Sequence, residues 1–327
     1  MMRAIRQHAF GGPEELRLEE VPDPRPAADQ VRIRVESAGV HLLDTVIRQG
    51  KGGPRVASRL PMTPGREVAG TIDEAGADAG TGLLGRRVVA DLGPAGGGYA
   101  ELALAPAAAV HVLPDDADAD RAVAMVGTGR TTMAILELAA PAAGDVVLVT
   151  AAAGGIGTLL VQACRAAGAT VVGVAGGPGK VALARRIGAD HAIDYTLPDW
   201  PDAVGRALEG RPVTLVLDGV GGRIGRSALE LLGVTGRLVM FGSSSGSLTE
   251  LSTADLFGRG ISVASAVGAR ILQRPGGTRT LERDALEALD EGRLVPVIGQ
   301  RFALADAAAA HTALQSRAST GKTVLRP

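Results

Sequence analysis

The sequence predicts an α/β protein in two parts, a mostly β unit of roughly 115 residues followed by a doubly wound parallel sheet. Three observations predict it. The first third reads as short strands punctuated by Pro and Gly. From about Asp120 onward, apolar runs alternate with helix-like stretches. At one strand-to-helix junction, Val146-Val-Leu-Val-Thr-Ala-Ala-Ala-Gly154-Gly155-Ile156-Gly157 places glycines where the chain must turn.

Taken in order, Pro22, Pro24 and Pro26 precede Val31-Arg-Ile-Arg-Val-Glu, whose period-two alternation is that of a half-exposed strand. Gly50 to Pro54 reads as a loop, Gly65-Arg-Glu-Val-Ala-Gly-Thr-Ile-Asp as a further strand, and Gly93 to Gly98 as a turn before Tyr99-Ala-Glu-Leu-Ala. Residues 120–140 read as one helix ended by Pro141. Apolar runs at 146–150, 170–175, 191–193, 213–218 and 236–241 then alternate with helical stretches at 156–167, 179–188, 199–209 and 222–232. Parallel strands buried on both faces read as continuous apolar runs, so this alternation predicts βα units. Ile261 to Ala266 is a sixth strand candidate. Helices at 278–291 and 305–317 follow, with Leu294-Val-Pro-Val-Ile extended between them.

Composition narrows the function. A length of 327 residues suggests about two domains. With a net charge of −1 and 2% aromatics, the chain lacks the basic footprint and stacking surfaces of a nucleic-acid binder. The single cysteine, Cys164, excludes an internal disulfide and any Cys-rich zinc site. Val146 to Cys164 is nineteen residues without a charge, near membrane-spanning length, but its interior glycine turn argues for strand, turn and helix. The first residues lack the apolar core of a signal peptide, so a cytoplasmic protein is expected, with no membrane partner.

The glycine turn fits a G-x-G-x-x-G frame with Ala152 first, Gly154 second and Gly157 third. A missing side chain at 154 lets a pyrophosphate approach the backbone, and Gly157 lets helix pack on strand. The helix N-terminus supplies amides and partial positive charge. Dinucleotide sites selective for NAD carry an acid ~20 residues on to hold the ribose 2′-hydroxyl. Here the second strand ends Val174-Ala-Gly-Gly177, no acid occurs between Asp145 and Asp190, and Lys180 follows. NADPH is the expected cofactor.

The order of motifs extends the reading: Ala38-Gly-Val-His41-Leu-Leu-Asp44, Leu60-Pro-Met-Thr-Pro-Gly65-Arg66-Glu67-Val-Ala-Gly70, the glycine turn, Asp218-Gly-Val-Gly-Gly222 and Thr320-Gly-Lys-Thr-Val-Leu325. Over essentially the whole chain this resembles the medium-chain dehydrogenase/reductase superfamily, in its zinc-independent NADPH:quinone oxidoreductase (ζ-crystallin-like) group. The resemblance implies a GroES-like catalytic domain from residues 1–120 and 267–327, a Rossmann domain over 121–266, and an active site in the cleft. It assigns cofactor contacts to Thr131, Gly154, Gly155, Ile156, Gly157, Lys180, Tyr195, Gly219, Val220, Phe241, Gly242 and Ser243. It sets His41 in the cleft beside the nicotinamide. There the imidazole is a candidate hydrogen-bond donor or acid, or else a packing substitution, and Asp44 either orients its ring or is a turn-stabilising carboxylate. A homodimer is expected by analogy, with Ile261 to Ala266 as the joined edge.

Departures accompany it. Arg66 stands where zinc-dependent relatives need a His, and the five His residues show no ligand spacing, so no metal is expected. His41 and Val46 replace the Asn and Tyr usual in quinone reductases. The expected activity is hydride transfer from NADPH to a quinone or similar small electrophile. Reduction of an enal or enone C=C bond is the enzymatic alternative, and a non-catalytic NADPH-binding sensor or structural protein the alternative of another class. Gly242-Ser-Ser244-Ser-Gly246 with Asp284 and His311 also matches a hydrolase order, but Ser247-Leu-Thr-Glu is a poor start for the helix such an elbow requires. Ser316 to Thr323 approaches a P-loop without its first glycine.

Overall fold

The computed structural model describes residues 1–51 and 59–327, so the loop expected at Gly50–Pro54 lies partly outside the described residues. The chain divides into two compact units: Met1–Gly127 with Val297–Pro327, and Thr128–Pro296.

In the first unit, β1 (Met2–Arg6) pairs with β2 (Arg17–Val21). The larger sheet contains β3 (Gln30–Val40), β4 (Glu67–Ala75), β5 (Arg87–Asp91), β6 (Leu102–Pro106) and β7 (Val110–Val112). Helix α1 (Leu42–Arg48) follows β3, and α2 (Ala119–Ala124) follows β7. The inward faces of these strands, with Ile5, Ile33, Val68, Ile72, Val88 and Tyr99, form one core.

The second unit begins with α3 (Arg130–Ala139). It continues through β8 (Val146–Thr150), α4 (Gly155–Ala166), β9 (Thr170–Ala175), α5 (Pro178–Arg186), β10 (His191–Asp194), α6 (Trp200–Ala207), β11 (Val213–Asp218), α7 (Gly222–Glu230), β12 (Leu232–Met240), α8 (Thr253–Arg259), β13 (Ser262–Ser265), α9 (Ala269–Leu272) and α10 (Arg279–Asp290). All six strands run parallel in the order β10-β9-β8-β11-β12-β13. This is the doubly wound order of dinucleotide-binding sheets, with its switch point between β8 and β11. Alternate residues face opposite layers: Val147, Val149, Leu215 and Leu217 pack with α3 and α4, while Val146, Leu148, Val216 and Leu238 pack with α6 and α7.

The chain then returns to the first unit as β14 (Ile298–Ala303), α11 (Ala307–Gln315) and β15 (Lys322–Arg326). There β15 pairs with β14 and β3. Asp120 of α2, 1% exposed, accepts from Arg301 Nε at 2.6 Å and Arg326 Nη2 at 2.6 Å, which ties the return in place.

Three expectations need adjusting. The unit boundary falls at 127/297 instead of 120/266, because α10 packs on α3, Arg130 Nη1 reaches Glu282 Oε1 at 3.3 Å, and Gln162 bonds the backbone of Val295. The single helix of 120–140 is interrupted by a π-helical turn at Met125–Gly129; there Gly127 lies so close to Glu67 that a Cβ would collide with Oε1. The fifth strand starts at Leu232, which pairs with Val213 ahead of a bulge, and the extended piece expected at 294 becomes a strand only from Ile298.

Candidate functional site

The glycine turn sits at the carboxyl end of β8. Ala151 adopts φ 49 and Gly154 caps α4 from an extended conformation without a side-chain cap. The first amides of a helix have no intrahelical acceptor, so those of Gly155, Ile156 and Gly157 are available to an anion. A Cβ on Gly154 would meet only the Ala151 carbonyl oxygen, at 3.3 Å, whereas one on Gly157 would collide with that oxygen. Gly154 thus leaves the turn open and Gly157 lets α4 seat on the strand, as the sequence pattern required.

Beside this turn, buried Asp218 organises the loop after β11. Its carboxylate accepts from Thr150 Oγ1 at 2.7 Å, Thr249 Oγ1 at 2.6 Å and the amides of Val220 and Gly221. The Phe241 ring packs so closely on Gly219 that a Cβ there would be 2.7 Å from Cζ, and a Cβ on Gly242 would be 2.7 Å from the Gly219 carbonyl oxygen. The loops of Gly219–Val220 and Phe241–Ser243 are therefore one packed layer at the strand ends. Lys180 lies in the first turn of α5, Tyr195 directly after β10, and Thr131 in the first turn of α3.

One acid near the second strand escaped the linear count. Asp194 is in register with Ala175, and its Oδ1 accepts from the Gly177 amide at 2.9 Å and from the Thr196 amide and hydroxyl. Burial raises its affinity for a proton, but these hydrogen bonds outweigh it and hold the carboxyl below its usual range. Asp194 is committed to the loop itself.

In the first unit, His41 forms the N-cap of α1. Its Nε2 lies 2.6 Å from Glu67 Oε1 and 2.8 Å from Lys322 Nζ, and Lys322 Nζ donates to Glu67 Oε2 at 2.8 Å. Glu67 and Lys322 are 2% and 4% exposed. Burial pushes the Glu67 carboxyl up, but the attraction of His41 and Lys322 and their hydrogen bonds prevail and hold it well below the carboxylate range. Gly39 makes room, since a Cβ there would collide with Glu67 Oε2.

The Asp44 carboxylate does not bond the His41 ring. Its Oδ2 accepts from the His41 backbone amide at 2.8 Å and from Tyr99 Oη at 3.1 Å, which makes it a turn-fixing carboxylate. Orientation of the ring falls to Glu67, quoted in the sequence motif without a role. Behind Asp44 the polar chain continues. Tyr99 Oη is 3.2 Å from His311 Nε2, and Arg48 Nη1 is 3.0 Å from His311 Nδ1. Arg48 can only donate, so Nδ1 accepts, Nε2–H donates to Tyr99, and Tyr99 donates to Asp44. Burial lowers His311 to about 4, keeping it neutral, and with the Asp44 charge raises Tyr99 well above its ordinary value. Thus engaged, His311 does not serve as a hydrolase base. After Gly242 to Gly246 the chain does not pass directly into a helix, since α8 begins at Thr253. Cys164 is buried, its thiol pushed up to about 12 by burial.

A zinc ion does not fit these residues. Arg66 cannot ligate one, and the Lys322 ammonium already faces both His41 and Glu67. Among the described residues no helix is long and apolar enough to cross a membrane.

The alcohol dehydrogenase GroES-like domain model matches residues 27–115, and the zinc-binding dehydrogenase model residues 155–288. A quinone oxidoreductase of Pseudomonas aeruginosa is 33% identical over 330 residues, covering 100% of both chains. A 2-haloacrylate reductase of a Burkholderia species is 30% identical over 343 residues, covering 100% of this chain and 99% of that protein. The solved structure of a mycobacterial protein complexed with NADPH matches with a TM-score of 0.88 at 31% identity, covering 100% of each chain. Fold, glycine turn and matched models together define the medium-chain dehydrogenase/reductase class. Within that class, the chain belongs to the quinone oxidoreductase family.

Proposed function

We propose that this protein is an NADPH-dependent reductase that transfers hydride, without zinc, to a quinone or a similar small electrophile. The observation that carries the reading is the β8–α4 junction, where Gly154 leaves the turn open and the capless amides of α4 face the space in which a pyrophosphate would sit. On the adjacent strand end, Ala175-Gly176-Gly177 offers no acid to a 2′-phosphate, and Lys180 supplies a cation. Thr131, Gly155, Ile156, Gly157, Tyr195, Gly219, Val220, Phe241, Gly242 and Ser243 complete the proposed cofactor site.

NADPH, when bound, supplies the hydride; the protein orients it and stabilises charge that develops on the acceptor. We assign that second task to His41, whose ring is held by Glu67 in the way a base or acid is held by an orienting carboxylate. Asp44 positions the His41 backbone and is not itself catalytic. The Burkholderia relative reduces 2-haloacrylate by its name, which favours activated C=C bonds as a second acceptor class.

We also propose a homodimer. Strand β13 pairs only with β12 among the described residues and leaves its other edge open. The same unit exposes Phe257 at 90% and Val234 at 76%. The test of function is a screen of quinones and enones with NADPH after dialysis against a chelator. Multiple turnovers support the reading, and binding of NADPH without turnover with any acceptor contradicts it.

A further inference from the structure

The first unit contains a cavity of about 390 Å³ whose walls include Asp44 and Ile47 of α1 together with Arg6, Arg59 and Arg66. It therefore opens beside the helix that His41 caps, and its volume is that of a small-molecule site. Three arginines against one acid make the charge of this wall positive. Some arginines of the same unit face carboxylates, Arg3 with Glu101, Arg32 with Asp73 and Arg87 with Glu36, while others, such as Arg48, are held by neutral groups. Among the described residues, no carboxylate lies within ion-pair distance of Arg6, Arg59 or Arg66.

Two of the three are nonetheless held in place. Arg6 Nη1 donates to Thr63 Oγ1 at 3.1 Å, and Arg66 Nε donates to the Gly93 carbonyl at 3.2 Å. These neutral acceptors position the guanidinium groups without cancelling their charge. Among the described residues the acid in the wall is Asp44, which is 4% exposed and already takes the His41 amide and Tyr99 hydroxyl. A guanidinium fork matches a carboxylate in geometry as well as charge.

We infer that this arginine-walled pocket binds a carboxylate on the acceptor, so that the preferred substrate is an α,β-unsaturated acid anion and not a neutral quinone. This rests on the reductase reading above and names the substrate class of that same site. With 4-oxopent-2-enoate, hydride from NADPH forms a C–H bond at one alkene carbon and the π pair shifts to the other. A proton from solvent completes 4-oxopentanoate, and NADP⁺ remains. The arginines bind and orient the carboxylate, which takes no part in the bond changes.

The test compares kcat/KM for 4-oxopent-2-enoate with that for its methyl ester in the wild type, Arg66→Met and Arg6→Met. The acid is expected to exceed the ester by at least about tenfold, the worth of one well-placed charge-assisted contact, and the ratio to approach one in both variants. Because the ratio compares two substrates on one protein, partial misfolding of a variant leaves it unchanged. Raising the salt concentration is expected to shrink the wild-type ratio. A wild-type ratio of one or less, or a ratio that survives both substitutions, overturns the inference. If no acceptor turns over, the reductase reading fails separately, and calorimetric binding of 4-oxopentanoate decides the site. Saturable binding lost in the variants sustains it, and absence of binding in the wild type ends it.

Discussion

The Lys322 ammonium lies 2.8 Å from the Glu67 carboxylate, and both side chains are almost completely buried. Residues 255 positions apart thus meet where β15 returns to β3 and β4, with the His41 ring against the pair. Taking charges out of water is costly, and breaking such a pair leaves one of them uncompensated. Glu67→Gln or Lys322→Met is therefore expected to destabilise the protein by about 3–5 kcal/mol. The double variant should cost less than the two combined, because the second change removes the orphaned charge. Urea unfolding of the three variants checks this; strict additivity contradicts the pairing.

The buried His311 makes stability depend on pH in a defined window. Unfolded, a histidine titrates near 6.5; folded, burial holds this one at about 4. Between these values the unfolded chain binds a proton that the folded chain does not. Stability is therefore lost as pH falls from about 6.5 to about 4, by about 3 kcal/mol at the lower end. In His311→Gln the slope of unfolding free energy against pH should flatten across that window. An unchanged slope would show that another group titrates there.

For His41, the expected outcome of His41→Asn is a lower kcat and loss of a limb of the pH–rate profile. Asn donates a hydrogen bond but cannot deliver a proton. Retention of both kcat and its pH dependence would make His41 a spacer held by Glu67.

The open β13 edge and the exposed Phe257 predict a concentration-dependent dimer. Light scattering of the wild type should give twice the mass of the chain, and Phe257→Glu should shift it toward monomer. A wild-type monomer across micromolar concentrations would count against it.

Much of the fold was legible because of where its strands lie. The runs at 146–150, 170–175 and 213–218 are buried on both faces, so their apolar character is uninterrupted and their ends coincide with the observed strands. The strand-to-helix turn was legible because the close approaches at Gly154 and Gly157 are local. The break at Met125–Gly129 was not legible; within it Gly127 lies against Glu67, far away in sequence. Of the two parts open to Asp44, the turn-stabilising one is found, and the ring's own partners were not legible for the same reason. A carboxylate three residues from a histidine suggests a local partner, but it caps the turn, and the ring's partners come from β4 and β15. Helix 278–291 carries no mark of the unit it joins; that is decided by its contact with α3.

Whether NADPH is the hydride donor is read from steady-state kcat/KM for NADPH against NADH with one acceptor. A preference for NADPH of at least about tenfold is expected, the worth of one favourable charge contact with the 2′-phosphate. Lys180→Ala should raise the KM for NADPH and leave that for NADH nearly unchanged. Equal use of both cofactors by the wild type, or an equal loss for both on removing Lys180, would contradict it.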